Sequence, residues 1–223
     1  LVYLLGRRCF GTRSGELSAL LLALTPMSIQ AAHMATVDGL LGLLAVWLCL
    51  CSVKICRAGS LYTYLWSGVV LGLAVATKIN GALLVFAPVI AHLLVSMRSS
   101  RINSKLRAIF LRPGLYVTAA SALGTYMVLT PAALFRSRDY FLTEFYGNIF
   151  HVFEMNIGGD FVQKGSVYLE GTSYLYLLTD VFPAGLGWPL FLVSVLGILY
   201  AFTQRKPEDL IVVGTLLICC LLL

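Results

Sequence analysis

Long apolar stretches recur along the chain, separated by short polar clusters. About seven of them approach the roughly 20 residues that a membrane-spanning helix needs: about 15–30, 37–53, 61–77, 81–97, 110–133, 183–203 and 209–223. The opening run Leu1-Val2-Tyr3-Leu4-Leu5 reads as the tail of one more. No stretch alternates apolar and polar positions with period two, which argues against a β-barrel. The pattern predicts an all-α fold, a polytopic transmembrane helical bundle of about seven spans. It divides into three regions: transmembrane helices over 1–133, an extracytoplasmic loop over 134–182, and further transmembrane helices over 183–223.

Composition sharpens that reading. Of 223 residues, 59% are hydrophobic and 12% charged, with mean hydropathy +0.89, whereas a soluble domain is about 25% charged. The polar surface is too small to cover a water-soluble globule, so a soluble enzyme, a disordered chain and a disulfide-rich secreted module are excluded. The chain begins at Leu1 and ends inside the run Cys219-Cys220-Leu221-Leu222-Leu223. It is therefore expected to be an internal piece of a longer protein, in which the lack of a signal peptide carries no meaning.

The net charge of +6 is a topology signal. Twelve of the sixteen Lys and Arg residues fall on alternate connections: Arg7, Arg8, Arg13, Lys54, Arg57, Arg98, Arg101, Lys105, Arg107, Arg112, Arg205 and Lys206. That side is expected to be cytoplasmic, and the cations need no nucleic-acid partner to explain them. Most acids sort the other way, with Asp38, Asp139, Glu144, Glu154, Asp160, Glu170 and Asp180 outside against Glu16, Glu208 and Asp209 inside. His33 and His151 are also outer, and His92 lies within a span. Titratable chemistry is thus expected on the extracytoplasmic or lumenal face. The six cysteines map to spans or to the reducing side, and Cys49-x-Cys51-x4-Cys56 fits no zinc spacing.

Gly68-x3-Gly72-x3-Ala76 places small residues on one helix face, a stripe that lets two backbones approach closely in lipid. Pro26, Pro88 and Pro131 are expected to kink or stop helices. Residues 134–182 form the one long connection, rich in aromatics. Phe141, Phe145, Ile149 and Val152 recur there at helical spacing with Glu144, Asn148 and His151 on the other face, which suggests an amphipathic helix on the membrane surface.

Asp38 precedes the apolar run Leu40–Leu50 and reads either as a helix N-cap or as a carboxylate with a task at the outer boundary, where an ionised group is costly. His33, five residues earlier, is placed to line the same cavity or simply to be hydrogen-bonded. Lys78, in Ala76-Thr77-Lys78-Ile79-Asn80-Gly81, breaks the charge alternation. It reads either as a snorkelling lysine or as a point charge for a lipid phosphate. Arg136 and Arg138, after Thr130-Pro131, are second candidates for that phosphate. The substrate-binding candidates are thus His33, Lys78, Asn80, Arg136, Arg138, Glu144 and His151, with Asp38 the catalytic one.

Several of these segments together resemble a known family. They are Gly11-x3-Gly15 with Leu24-Thr25-Pro26, His33-x2-Thr36-Val37-Asp38, Gly68-x3-Gly72-Leu73-Ala74-x-Ala76-Thr77-Lys78-x-Asn80-Gly81, and Pro183-x-Gly185-Leu186-Gly187-Trp188-Pro189. In order and in place relative to the spans they look like membrane glycosyltransferases of the protein O-mannosyltransferase and aminoarabinose transferase type. The resemblance implies a GT-C fold with its site on the non-cytoplasmic face. It also implies transfer of a sugar, mannose-like, from a polyprenyl-phosphate carrier to a protein, lipid or glycan acceptor. Such enzymes carry their main catalytic acid in the first outer loop, which this sequence does not contain, so Asp38 would be the secondary acidic residue and Lys78 a ligand of the carrier phosphate. A lipid-linked sugar is the implied co-substrate. A divalent metal stays open, because His33 and Asp38 supply two ligands with no third in view. A secondary transporter and a non-catalytic membrane scaffold are the competing readings, and no internal repeat of the kind transporters show is visible.

Overall fold

A computed structural model of the chain describes residues 1–34, 36–97, 109–136, 138, 140, 177–204 and 206–222. Every element among them is helical. Helix α1 (Val2–Phe10) turns at Gly11 into α2 (Thr12–Leu24). Gly11 sits at φ +97°, a conformation that side chains with a Cβ rarely adopt. Gly15 packs its backbone directly on Tyr3 and Arg7 of α1, which closes the hairpin. The chain breaks at Thr25, and Pro26, with no N–H to give, starts α3 (Pro26–His33) at its first helical position.

Helices α4 (Val37–Ala58) and α5 (Leu61–Thr77) form the centre. Leu44 and Leu48 cluster with Val70, Leu71 and Ala74, and Val53, Ile55 and Cys56 with Tyr64, so α4 and α5 run antiparallel. A 3₁₀ stretch, Ile79–Val85, leads into α6 (Phe86–Met97). Pro88 accounts for this, since its ring would clash with the carbonyl four residues earlier if the α-helix began sooner. Ala87 joins the first cluster, and Ala91 joins the second together with Ile211 of the last helix.

The small-residue stripe finds its partner in α7 (Gly114–Leu129). A Cβ on Gly68 would strike Thr118 and Ser121, and one on Gly72 would lie 2.5 Å from the Ala122 carbonyl oxygen. No side chain fits there, so the two backbones meet as close packing in lipid requires. The register of these contacts makes α5 and α7 parallel. A short helix, α8 (Pro131–Phe135), follows. After residue 176 a π-helical turn, Leu177–Val181, leads to α9 (Phe182–Leu186), α10 (Trp188–Gln204) and α11 (Pro207–Leu222).

Two helical segments, Val37–Ala58 and Ile79–Met97, are long and apolar enough to cross a membrane. A third is added if the segments Leu178–Leu186 and Trp188–Gln204, bent by 111° at Gly187, count as one span. The count of about seven therefore goes further than the helix lengths do. The stretch 15–30 is split at Thr25. Leu61–Thr77 is apolar but has 17 residues, about 26 Å at 1.5 Å per residue against a hydrocarbon core of about 30 Å. Large apolar side chains nevertheless cover the outside: Leu17, Leu20 and Leu24 on α2 and Leu192, Leu196 and Leu199 on α10 are exposed. A soluble monomer rarely shows such a surface. This is a membrane protein.

Residues 141–176, most of the expected extracytoplasmic loop with its expected amphipathic helix, lie outside the described residues. None of the six cysteines is in a disulfide bond.

Candidate functional site

Antiparallel α4 and α5 bring the start of one to the end of the other. At that end Lys78 donates a hydrogen bond from Nζ to Asp38 Oδ1 at 2.8 Å, an ion pair between residues 40 apart in sequence. Each charge suits its position. Asp38 lies in the first turn of α4, where the helix dipole favours an anion, and Lys78 caps the C-terminus of α5, where it favours a cation. The N-cap itself is Thr36, not Asp38, and its side chain makes no capping bond. The capping reading of Asp38 thus gives way to a first-turn carboxylate.

Local backbone geometry holds Lys78 in place. Its N–H donates to the Ala74 carbonyl, its own carbonyl accepts from Gly81 N–H at 2.8 Å, and its backbone is extended. Gly81 lies directly against the backbone of Ala74 and Val75, where a Cβ has no room. The Asn80-Gly81 turn is therefore folded tightly onto the end of α5. The pair stays open, with 59% of the Asp38 side chain and 43% of the Lys78 side chain exposed. Lys78 has three N–H donors and uses one on Asp38, which leaves two for an oxyanion.

Of the remaining sequence candidates, those among the described residues fall at or near the same end. Because α7 is parallel to α5, its C-terminus and the following Thr130-Pro131 lie at the Lys78 end. Arg136, exposed, ends α8. Tyr140 donates its N–H to the Arg136 carbonyl and shares a 2.7 Å hydroxyl–hydroxyl hydrogen bond with Tyr126 of α7. This folds the segment carrying Arg136 and the exposed Arg138 back along α7. The tyrosine pair was not singled out in the sequence, where only the abundance of aromatics hinted at it. His33 is exposed at the end of α3, and no hydrogen bond or ion pair joins it to Asp38 or Lys78. Asn80 is half-buried beside Lys78. Glu144 and His151 lie outside the described residues. Among the described residues no three His, Cys, Asp or Glu side chains gather where they could hold a metal ion.

The opposite end gathers the basic connections. Arg57 donates from Nε and Nη2 to Glu208 Oε1 at 3.1 and 3.0 Å, and from Nη2 to the Arg8 carbonyl at 2.7 Å, tying α1, α4 and α11 together. Among the described residues, Arg8, Arg57 and Glu208 thus sit at the end of the helices opposite Asp38 and Lys78.

Neither the curated proteins nor the solved structures contain a match to this chain. A family match does exist: residues 1–128, more than half of the chain and the part that carries α1 to α7 and the Asp38–Lys78 pair, fit the dolichyl-phosphate-mannose-protein mannosyltransferase family. The chain belongs to that family, and with its apolar helices it is a membrane protein of glycosyltransferase type.

Proposed function

We propose that the protein is a multi-pass enzyme that moves a sugar from a polyprenyl-phosphate carrier to a protein, lipid or glycan acceptor on the non-cytoplasmic face. The observation that carries this reading is the Asp38–Lys78 pair, exposed at the end of the helices away from the basic connections. A carrier tail stays in lipid while its phosphate and sugar reach the interface, so a fixed cation is needed at that depth. Lys78, with two unused N–H donors, and Arg136 and Arg138 on the same end supply it.

In the reaction an acceptor hydroxyl attacks the anomeric carbon. The carbon–oxygen bond to phosphate breaks, and its electron pair leaves on the carrier phosphate. The hydroxyl proton passes to a carboxylate acting as base, a role that the resemblance gives to the first outer loop. Asp38 is the second carboxylate, orienting Lys78 and accepting a hydrogen bond from the sugar. The cations stabilise the charge that develops on the leaving phosphate. His33, Asn80, Glu144 and His151 fall to sugar and acceptor binding, in a GT-C-type arrangement.

The test is transfer of radiolabelled sugar from polyprenyl-phosphate donors by the full-length protein in membranes. Transfer with at least one donor is the expected result. Uptake of a solute by the protein in proteoliposomes, with no transfer from any donor, would instead establish a transporter.

A further inference from the structure

A cavity of about 390 Å³ opens at the basic end, lined by Arg57, Gly59, Leu61, Tyr64, Arg112 and Gly114 among others. It lies between the junction of α4 with α5 and the start of α7. Gly59, at φ +61° after the last turn of α4, makes the reversal that forms one wall. The inner wall is rigid. Buried His92 can donate only from Nε2 to the Ile109 carbonyl, at 3.1 Å, so its Nδ1 accepts from the Tyr64 hydroxyl at 2.9 Å. The ring of Tyr64 in turn fills the space that a side chain on Gly114 would need.

The charge of this cavity is positive and unbalanced. Arg57 is paired with Glu208, whereas Arg112 has no carboxylate partner among the described residues. The first residues of two parallel helices, Leu61 of α5 and Gly114 of α7, line the same space, and neither helix has a side-chain cap on its free amides. Two positive helix ends and an unpaired guanidinium thus converge on a preformed opening, and a planar guanidinium matches phosphate oxygens. A cavity at the end of apolar helices suits a headgroup, which sits where lipid gives way to water.

We propose that this cavity binds a phosphate-bearing group, supplied by the headgroup of an anionic phospholipid, at the end of the molecule opposite Asp38 and Lys78. The site is independent of sugar transfer, and failure of a transfer assay leaves it standing.

The test uses the full-length protein in a nonionic detergent, with native mass spectrometry to count retained lipids. Phosphatidylglycerol is offered against phosphatidylcholine, and inorganic phosphate and glycerol phosphate serve as soluble competitors. Preferential retention of phosphatidylglycerol is expected, weakened about fivefold by Arg112→Gln, which removes one cation near the surface, and largely restored by Arg112→Lys. Arg112 is exposed and forms no ion pair among the described residues, and restoration by Arg112→Lys separates loss of charge from loss of fold. Equal retention of the two lipids, or equal retention by Arg112→Gln and the unmodified protein, would overturn the site. Binding of inorganic phosphate, sensitive to Arg112→Gln, without lipid preference would retain the phosphate chemistry and overturn its lipid source.

Discussion

Replacing Asp38 by Asn separates a structural role of this carboxylate from a chemical one. Asn keeps the shape and removes the charge, so the ion pair with Lys78 at 2.8 Å is lost while packing is left alone. Both side chains are about half exposed, which limits the pair to about 0.2–1 kcal/mol. Loss of a carboxylate from the first turn of α4 costs a further 0.3–1 kcal/mol or so. The sum stays at or below about 2 kcal/mol, or about 4–8 °C in melting temperature for a chain of this size. Such a protein still accumulates in membranes. A carboxylate that orients Lys78 and accepts a hydrogen bond from the reacting sugar is worth about 1.5–3 kcal/mol in the transition state, or about ten- to a hundredfold in rate. The assay is therefore kcat for sugar transfer by full-length protein, normalised to folded protein and read beside thermal stability. The expected result is a fall in kcat of about tenfold or more with a small loss of stability. A kcat within twofold of the unmodified enzyme, with the same loss of stability, would refute the chemical role and leave Asp38 as a helix-end charge.

Lys78→Ala should raise the KM for the polyprenyl-phosphate donor by about tenfold, the worth of one hydrogen bond to a charged group; an unchanged donor dependence removes Lys78 from the site. Gly72→Leu forces a side chain against the Ala122 carbonyl and Thr125 and should destabilise the α5–α7 contact by about 1–3 kcal/mol. Melting in detergent reads this, and unaltered melting would show that the helices do not pack this closely. Asp160→Cys in the long connection should react with an impermeant thiol reagent from the non-cytoplasmic side, and labelling only from the cytoplasmic side would reverse the orientation.

What the sequence disclosed follows from what hydropathy measures. Its apolar stretch of about 61–77 coincides with the helix Leu61–Thr77, because Ser60 and Lys78 bound the run, although the helix is shorter than the span expected there. It also identified the Gly68–Gly72 stripe as a packing face, although α7 as its partner required three dimensions. Averages over apolar windows do not register where a backbone loses a hydrogen bond. The break at Thr25, the 3₁₀ stretch before Pro88 and the 111° bend at Gly187 therefore escaped, though Pro26 and Pro88 were each marked as disruptive. Asp38 and Lys78 were both candidates, yet nothing in their separate motifs joined them. The basic-end cavity was invisible for the same reason, since its lining comes from the α4–α5 turn, the end of α6 and the start of α7.

The ion pair and the topology have one cause. An antiparallel helix pair sets an N-terminus beside a C-terminus, and the dipoles already prefer an acid on the first and a base on the second. Asp38 and Lys78 occupy those positions, so the pair forms with little added cost in positioning. The next crossing then determines what joins it. Because α6 returns the chain to the basic end before α7 begins, α7 runs parallel to α5 and delivers Thr130, Arg136 and Arg138 to the Lys78 end. Had α7 followed α5 directly it would have run antiparallel, and those arginines would lie beside Arg57. Of the charges that break the cytoplasmic pattern in the sequence, the order of helices thus brings Lys78 onto Asp38 and Arg136 and Arg138 to the same end.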